Sequence, residues 1–268
     1  HYVMFNIDLI DPNWSWDLQK RLCEETLNAC EKNNVTIRTS FGGQHSHRHF
    51  LGHPDAECRR EAEEFFRKAM RQTAYLGGES FGTCFAILTE KSHHDKEERK
   101  TILDDAITAY HRLADYGLDI GLKSLAYEMT SVPRESCATF EENDYILSRC
   151  ADMKIPMKIC LDLGHRYLGG SEEEKDHLAW IRRYGRQCSI IDCQQTDFEA
   201  SRHWPFTPEN NERGIIDGEQ VCHTIKEYGA EEILLAFELR TPAFFPHDDK
   251  HLQRMEASVK YWRKWITD

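Results

Sequence analysis

The sequence predicts an α/β fold, a (β/α)8 barrel in which parallel strands alternate with helices. Short apolar runs with the length of strands alternate along the chain with longer segments whose apolar residues recur at helical spacing. Strands that alternate with helices of this length form parallel βαβ units. The chain has 268 residues, which suits one barrel domain, because such barrels take roughly 250 residues.

Seven strands are predicted, each an apolar run bounded by polar or turn residues. They cover 2–8, 35–41, 83–88, the end of 118–128, 157–162, 189–194 and 233–238. The predicted helices cover about 15–31, 55–75, 102–116, 140–153, 172–184, a segment that ends near 228, and 248–266. Two polar stretches, 89–100 and 195–218, are predicted loops.

A closed barrel of this type needs eight strands. Because the chain starts directly with a strand, we expect the first βα unit to be missing from the N-terminus, by truncation or disorder, and we expect one domain over residues 1–268. A doubly wound open sheet is the alternative. It is disfavoured because no glycine-rich phosphate turn follows any predicted strand.

Composition excludes several classes of function. With 34 Lys and Arg against 46 Asp and Glu, the formal charge is −12, which argues against a general nucleic-acid binder. No apolar run approaches the roughly 20 residues of a membrane-spanning helix. The ten cysteines are scattered and form no CxxC pair, so reduced thiols and a cytoplasmic protein are expected.

Acidic residues end three of the predicted strands. Glu128, Asp162 and Glu238 each follow an apolar run. The carboxyl ends of barrel strands converge on one rim, where active sites are built, so three acids there predict a divalent-metal site. A structural salt bridge explains one such acid equally well. A shared cation explains all three at once.

The strand 189–194 supplies a fourth polar group. Asp192 and Gln194 face the same side, because side chains alternate along a strand. Position favours Asp192 as the fourth metal ligand. Electrostatics favours Gln194, because four carboxylates around one divalent cation leave a formal charge of −2. The sequence leaves this choice open.

Further candidates for substrate binding lie close to these acids or in long loops. His165 follows Asp162 by three residues, and Arg240 follows Glu238 by two. The remaining candidates are Gln194, Arg134, and the pair Arg202 and His203. We expect Arg134, Arg202, Arg240 or Ser131 to bind a phosphate. The cluster His45, His47 and His49 is a weak metal signal, and one or two of these residues with Arg48 are expected to line the substrate mouth.

Taken in order, these residues resemble the xylose-isomerase-like superfamily of TIM barrels. The resemblance rests on Glu128, Asp162 with His165, a polar residue on strand 189–194, and Glu238, and it covers essentially the whole chain. Two short motifs, 127–135 and 194–206, look most like the tetrulose-phosphate racemase/isomerase branch of erythritol and threitol catabolism.

The resemblance implies one divalent ion held by Glu, Asp, His and Glu. If the roles in the family apply to this chain, Glu128 and Glu238 are metal ligands that also serve as acid and base. Asp162 is then a ligand, and His165 contacts a substrate hydroxyl. Asp192 stands where the family normally has His, which favours Mn2+ or Mg2+, with Co2+ and Zn2+ as the other candidates.

These observations predict a metal-dependent isomerase or epimerase of a short keto-sugar or its phosphate, with a tetrulose phosphate favoured. The reaction is expected to be proton transfer through a metal-stabilised enediolate. The alternatives are a phosphodiesterase of the apurinic-endonuclease type and a non-catalytic sugar-binding barrel. The expected partner is a small-molecule substrate, with no nucleic acid or membrane, and a homodimer or homotetramer is expected from the family.

Overall fold

The computed structural model describes residues 1–42, 48, 50–240 and 248–266. Contacts divide the chain into two compact units, His1–Lys158 and Ile159–Asp268. The single domain expected over the whole chain stays a prediction. The histidines His45, His47 and His49 lie outside the described residues.

The first unit alternates strands and helices, as predicted. Its strands are β1 (Tyr2–Asn6), β2 (Thr36–Phe41), β3 (Ser80–Cys84) and β4 (Ser124–Glu128), and neighbouring strands pair in parallel. Its helices are α1 (Trp16–Lys32), α2 (Ala56–Tyr75), α3 (Glu90–His94), α4 (Lys96–Asp119) and α5 (Phe140–Arg149). Short 3-10 turns cover Ile7–Leu9, Phe50–Gly52 and Pro133–Glu135.

The second unit continues the same alternation. The strand β5 (Met157–Asp162) leads into it, and β6 (Cys188–Cys193) and β7 (Leu234–Phe237) follow. Pairing is parallel from β5 to β6 and from β6 to β7. The helices are α6 (His177–Tyr184), α7 (Pro208–Arg213), α8 (Gly218–Tyr228) and α9 (His251–Trp262), with a 3-10 turn at Asp248–Lys250.

Seven strands thus occur in the described ranges, and each of them overlaps one of the seven predicted strands. The eighth strand, expected because a closed barrel needs eight, stays a prediction. The predicted helices at 55–75 and 15–31 agree with α2 and α1 to within one residue. Both begin at a side-chain cap, because Asp55 and Ser15 accept hydrogen bonds from backbone N–H groups of the first turn.

The third strand lies earlier than predicted. β3 covers Ser80–Cys84, whereas the apolar pattern predicted 83–88. Residues 85–88 are buried but leave the sheet, and the Leu88 N–H donates to the carbonyl of Arg134 (2.7 Å) instead of to a neighbouring strand. A short apolar run in the sequence indicates a buried segment. The same run occurs whether or not the segment belongs to a sheet.

Two predicted loops contain helices. In 89–100, α3 and the start of α4 are capped by the Thr89 hydroxyl and the Asp95 carboxylate. In 195–218, α7 begins with Pro208 after the Thr207 cap. The polar composition of these segments did not indicate helices, because the capping residues and the exposed first turns of helices are themselves polar. None of the described helices is both long enough and apolar enough to cross a membrane.

Candidate functional site

Asp162, the last residue of β5, organises the turn that follows it. Its side chain is buried, with 1% of the residue exposed. Its Oδ1 accepts the backbone N–H groups of Gly164 (2.6 Å) and His165 (3.2 Å). An Asp side chain that caps its own following turn holds that turn in one conformation. The turn therefore places the His165 imidazole beside the Asp162 carboxylate, with His165 Nδ1 3.7 Å from Asp162 Oδ2.

Gln194 connects Asp162 to the long loop after β6. Its Nε2 donates to both carboxylate oxygens of Asp162, at 2.9 Å and 2.8 Å. Its Oε1 accepts the backbone N–H of His203 (2.7 Å) and the hydroxyl of Ser201 (3.1 Å). Gly164 makes room for this amide, because a Cβ there would stand 2.3 Å from Gln194 Cδ. The amide orientation is thus determined at both ends.

His203 lies in the loop in a left-handed backbone conformation, with φ of 51°. Such a conformation costs about 1–2 kcal/mol for a residue other than glycine, and strained residues of this kind concentrate at functional sites. Backbone hydrogen bonds around His203 stabilise this conformation. Gln195 and Trp204 exchange backbone hydrogen bonds (2.8 Å and 3.0 Å), and the N–H of Arg240 donates to the His203 carbonyl (3.1 Å).

The buried His203 imidazole contacts Glu238, which immediately follows β7. His203 Nδ1 lies 3.2 Å from Glu238 Oε2. Burial by itself raises the pKa of Glu238, but the hydrogen bond and charge of His203, with smaller contributions from Asp162 and His165, lower that pKa to about 2. Arg240 adds a guanidinium 3.3 Å from Glu238 Oε1. Glu238 is therefore ionised throughout the neutral pH range.

Within residues 159–268, two overlapping sets of side chains have the spacing of metal ligands. One is Asp162, His165 and Glu238, and the other is His165, His203 and Glu238, with ligand atoms within 4.8 Å of one another in each set. Carboxylate oxygens and imidazole nitrogens together suit Mn2+, Co2+ or Zn2+, and an oxygen-rich set suits Mg2+. The donor chemistry of these residues therefore fits a divalent cation.

Asp192 differs from its neighbour Asp162, although the two pair in register between β6 and β5. It is buried (2% exposed), and its Oδ2 accepts a hydrogen bond from the Cys160 thiol (3.1 Å). Among the described residues it belongs to neither ligand set. Asp192 and Gln194 contact Cys160 and Asp162 respectively, so the predicted common side for these two residues is observed. The assignment of Asp192 as a ligand stays a prediction.

The three arginines that were predicted to bind the substrate have different partners and belong to different elements. Arg202 is engaged by Asp197 and Glu199, each at 2.9 Å, and Arg240 by Glu238. Arg134 lies in the first unit, in the short turn after β4. Glu128 is the last residue of β4, as predicted.

Sequence reasoning missed two polar residues that hold this loop. Ser201 joins Gln194 to His203, since its hydroxyl lies 3.3 Å from His203 Nε2. Gln195 accepts the N–H groups of Thr196 (3.0 Å) and Ile216 (2.9 Å), and its side chain fills the space where Gly214 has no Cβ. A loop of mixed polar residues gives no periodic signal that singles them out.

Comparisons with known proteins identify the family and the fold. The family model of the xylose isomerase-like TIM barrel matches residues 4–265. D-erythrulose 1-phosphate 3-epimerase of Brucella abortus (strain 2308) is 28% identical over 262 residues, which cover 97% of this chain and 84% of that protein.

Solved structures share the fold. A putative xylose isomerase from Rhodospirillum rubrum ATCC 11170 superposes with a TM-score of 0.89 at 23% identity, over 100% of this chain and 90% of its own. D-psicose 3-epimerase from Clostridium cellulolyticum, solved with D-tagatose, gives 0.75 at 15% identity, over 100% and 89%. The family match spans nearly all of the chain, and the protein therefore belongs to the xylose isomerase-like TIM barrel family, as an enzyme of its sugar isomerase and epimerase group.

Proposed function

We propose that this protein is a metal-dependent 3-epimerase of a tetrulose phosphate, with erythrulose 1-phosphate as the favoured substrate. The substrate class is suggested by the Brucella relative, whose name states that reaction. The chemistry is suggested by the carboxylates and imidazoles at the ends of β5 and β7. Epimerisation next to a carbonyl needs one group that removes a proton and one that returns it.

The observation that carries the proposal is the contact between His203 and Glu238. Together with Asp162 and His165 it lowers the pKa of Glu238 to about 2, so the carboxylate is ionised, and the His203 ring also lies 3.2 Å from the Glu238 carbonyl oxygen. An ionised carboxylate is what a cation ligand and a proton acceptor both require. A carboxylate this acidic is a weak base by itself, so the carbon acid must be made more acidic by another group.

Asp162, His165 and Glu238 would hold a divalent cation, with Mn2+ or Mg2+ favoured. Glu128 is proposed as a further ligand, because it ends β4 as Asp162 ends β5 and matches the family pattern. When bound, the cation polarises the substrate carbonyl and so acidifies the neighbouring carbon. Gln194 would act on the ligand set indirectly, since both Asp162 oxygens receive its amide and ligand orientation depends on such partners.

The protein's own side chains would carry out the proton movements. Glu238 removes the proton from carbon 3 on one face of the substrate, and Glu128 returns a proton on the other. His165 contacts a substrate hydroxyl, and Asp192, Arg202, His203 and Arg240 complete the proposed surroundings. A cytoplasmic location, a homodimer or homotetramer, and the eighth strand remain predictions.

The test is proton exchange followed by NMR. D-erythrulose 1-phosphate is incubated with the protein in D2O, with Mn2+ or with EDTA. Loss of the carbon 3 proton signal with Mn2+ alone, together with decay of the optical rotation because the product is the enantiomer of the substrate, supports the proposal. If only unphosphorylated erythrulose exchanges its carbon 3 proton, the protein is still an epimerase, but the sugar phosphate is excluded as its substrate. Failure to exchange either sugar, with no Mn2+ bound, would favour the non-catalytic sugar-binding barrel.

A further inference from the structure

A chain of hydrogen bonds in the second unit joins the end of β5 to the residue that follows β7. It runs from Glu238 through His203, Ser201 and Gln194 to Asp162. All five residues belong to the same compact unit. Ser201, the middle residue, is partly buried and has no role in the mechanism above.

We propose that Ser201 is a positioning residue of the cation site and acts through Gln194 and His203. Its hydroxyl connects the partners of two proposed ligands, Asp162 and Glu238. This role rests on the proposed function, in which those carboxylates bind a divalent cation. Partners of metal ligands orient them, and their loss typically lowers metal affinity or activity about 10- to 100-fold.

The imidazole of His203 is oriented through both of its nitrogens. Its Nδ1 lies 3.2 Å from the Glu238 carboxylate and 3.2 Å from the backbone carbonyl of the same residue. Since an ionised carboxylate and a carbonyl only accept, Nδ1 carries a proton in either charge state of the ring. In the neutral ring Nε2 is therefore an acceptor, and the Ser201 hydroxyl, 3.3 Å away, can donate to it.

Gln194 is the second partner of the Ser201 hydroxyl. Its Oε1 lies 3.1 Å from that hydroxyl and accepts the His203 N–H (2.7 Å), while its Nε2 donates to Asp162. If His203 Nε2 carries a proton, it donates to the Ser201 oxygen, and the hydroxyl donates to Gln194. The chain is complete in both cases, because a hydroxyl both donates and accepts.

The backbone on both sides of Ser201 is held by the buried Thr196. The Thr196 hydroxyl donates to the carbonyl of Ala200 (2.5 Å) and accepts the N–H of Arg202 (3.1 Å). The Asp197 carboxylate accepts the N–H of Ala200 (3.1 Å). Ser201 is therefore positioned before any ligand binds, which lowers the entropic cost of forming the site.

The chain also distinguishes between the two imidazoles near Glu238. The rings of His165 and His203 pack edge to face, with centroids 5.4 Å apart, and each ring belongs to a possible ligand set. A cation bound through His203 Nε2 would displace the Ser201 hydroxyl. The positioning role of Ser201 therefore favours the set of Asp162, His165 and Glu238, without His203.

The hydrogen bond is tested first, without metal and without turnover. Protein labelled with 15N-histidine is studied by NMR in EDTA, and the His203 signals are assigned by their loss in His203→Gln. We expect the Nε2 signal to move in Ser201→Ala and in Ser201→Cys, which keeps the size of the side chain but donates weakly. Ser201→Thr keeps the hydroxyl and should restore the signal. The control Ser171→Ala removes an exposed hydroxyl that contacts Glu174 (2.9 Å) and should leave it unchanged.

The same variants test the effect on the cation site. Isothermal titration should show about tenfold weaker Mn2+ binding in the Ser201→Ala and Ser201→Cys variants, and binding close to that of the wild type in Ser201→Thr. With saturating Mn2+, kcat for exchange of the carbon 3 proton should fall about tenfold in the first two variants. KM should change less than about twofold, because Ser201 acts on the ligands and not on the substrate.

A nucleophilic serine is the alternative, because a hydroxyl, an imidazole and a carboxylate in this order also form catalytic triads. Gln194 argues against it, since its Oε1 competes for the proton that a nucleophile must give to the imidazole. A nucleophilic serine displaces fluoride from a fluorophosphonate probe and keeps the phosphonyl group. Labelling of Ser201 in the wild type, detected by peptide mass spectrometry, would overturn the positioning role.

The remaining outcomes separate this role from the proposed function. An unchanged Nε2 signal in Ser201→Ala would overturn the hydrogen bond, and unchanged or tighter Mn2+ binding would overturn the positioning role and favour His203 as a ligand. Losses that Ser201→Thr does not restore would mean that the hydroxyl is not the cause, and would also overturn it. If the signal moves and Mn2+ binding weakens, but the wild type exchanges no carbon 3 proton, the role of Ser201 at the cation site is supported and the epimerase is contradicted.

Discussion

Two buried carboxylates, one in each unit, have contrasting partners. In the first unit Glu63 receives Arg112 through two nitrogens (2.6 Å and 3.0 Å) and Arg67 through one (3.0 Å). In the second unit Asp162 receives an amide and two backbone N–H groups, and it has an imidazole 3.7 Å away.

This difference distinguishes a carboxylate with a structural role from one that we propose as a metal ligand. Two guanidinium groups already neutralise Glu63, so a cation gains nothing there. The donors that hold Asp162 are neutral, so they orient its carboxylate without adding a positive charge beside it, as suits a side chain proposed to bind a cation. Glu238 is intermediate, because His203 and a half-exposed Arg240 stabilise its ionised form. The partners of a carboxylate thus indicate its role better than its burial does.

The largest effect is expected from Glu238→Gln. The amide can neither accept a proton nor supply the ligand charge, so turnover should fall by about 10³-fold or more, within the range that general acid–base groups contribute. The carbon 3 exchange assay measures turnover, and isothermal titration measures Mn2+ binding. Glu212→Gln, an exposed carboxylate of α7 in the same unit, is the control and should keep both. Substantial turnover by Glu238→Gln would exclude Glu238 as the base.

A smaller effect should distinguish the two aspartates that pair in register. In Asp162→Asn, one terminal group becomes a donor that faces the Gln194 Nε2 donor, so both the charge and the turn are disturbed. We expect Mn2+ affinity to fall about 10- to 100-fold, and by less than about threefold in Asp192→Asn. Equal losses in the two variants, measured by titration with Mn2+, would favour Asp192 over Gln194 as the fourth ligand, a choice that the sequence left open.

The smallest functional effect is expected from Glu63→Gln. Burial by itself raises the pKa of Glu63, but Arg112 and Arg67 outweigh it and lower that pKa below its usual 4.5. The ion pairs therefore stabilise the fold above pH 4.5, and this contribution disappears as the pH falls through the lowered pKa. We expect a loss of about 1–2 kcal/mol at pH 7, limited because Arg112 is half exposed, and unchanged kcat.

Urea unfolding of the wild type and the Glu63→Gln variant at pH 7 and pH 3.5 measures this contribution. The difference in the free energy of unfolding should narrow at the lower pH. If the difference in the free energy of unfolding stays the same at pH 3.5, the Glu63 side chain stabilises the fold through packing and not through its charge. A fall in kcat at pH 7 would mean that Glu63 is not purely structural, and the contrast with Asp162 would be wrong.

Much of the strand order and the acidic strand ends could be predicted because both depend on local pattern. Glu128 and Asp162 end β4 and β5 as predicted, since an apolar run followed by an acid is visible in the sequence. The shift of β3 and the helices inside predicted loops could not be predicted, because burial and polarity are ambiguous over four to six residues.

The sequence by itself determined the alternation of strands and helices and the common side of Asp192 and Gln194, because these follow from the periodicity of neighbouring residues. Only the tertiary structure decided what each polar side chain contacts. Gln194 binds the Asp162 carboxylate, and His203 binds Glu238 from a loop residue with positive φ. These contacts join residues distant along the chain through strand register and loop conformation, which no local pattern encodes.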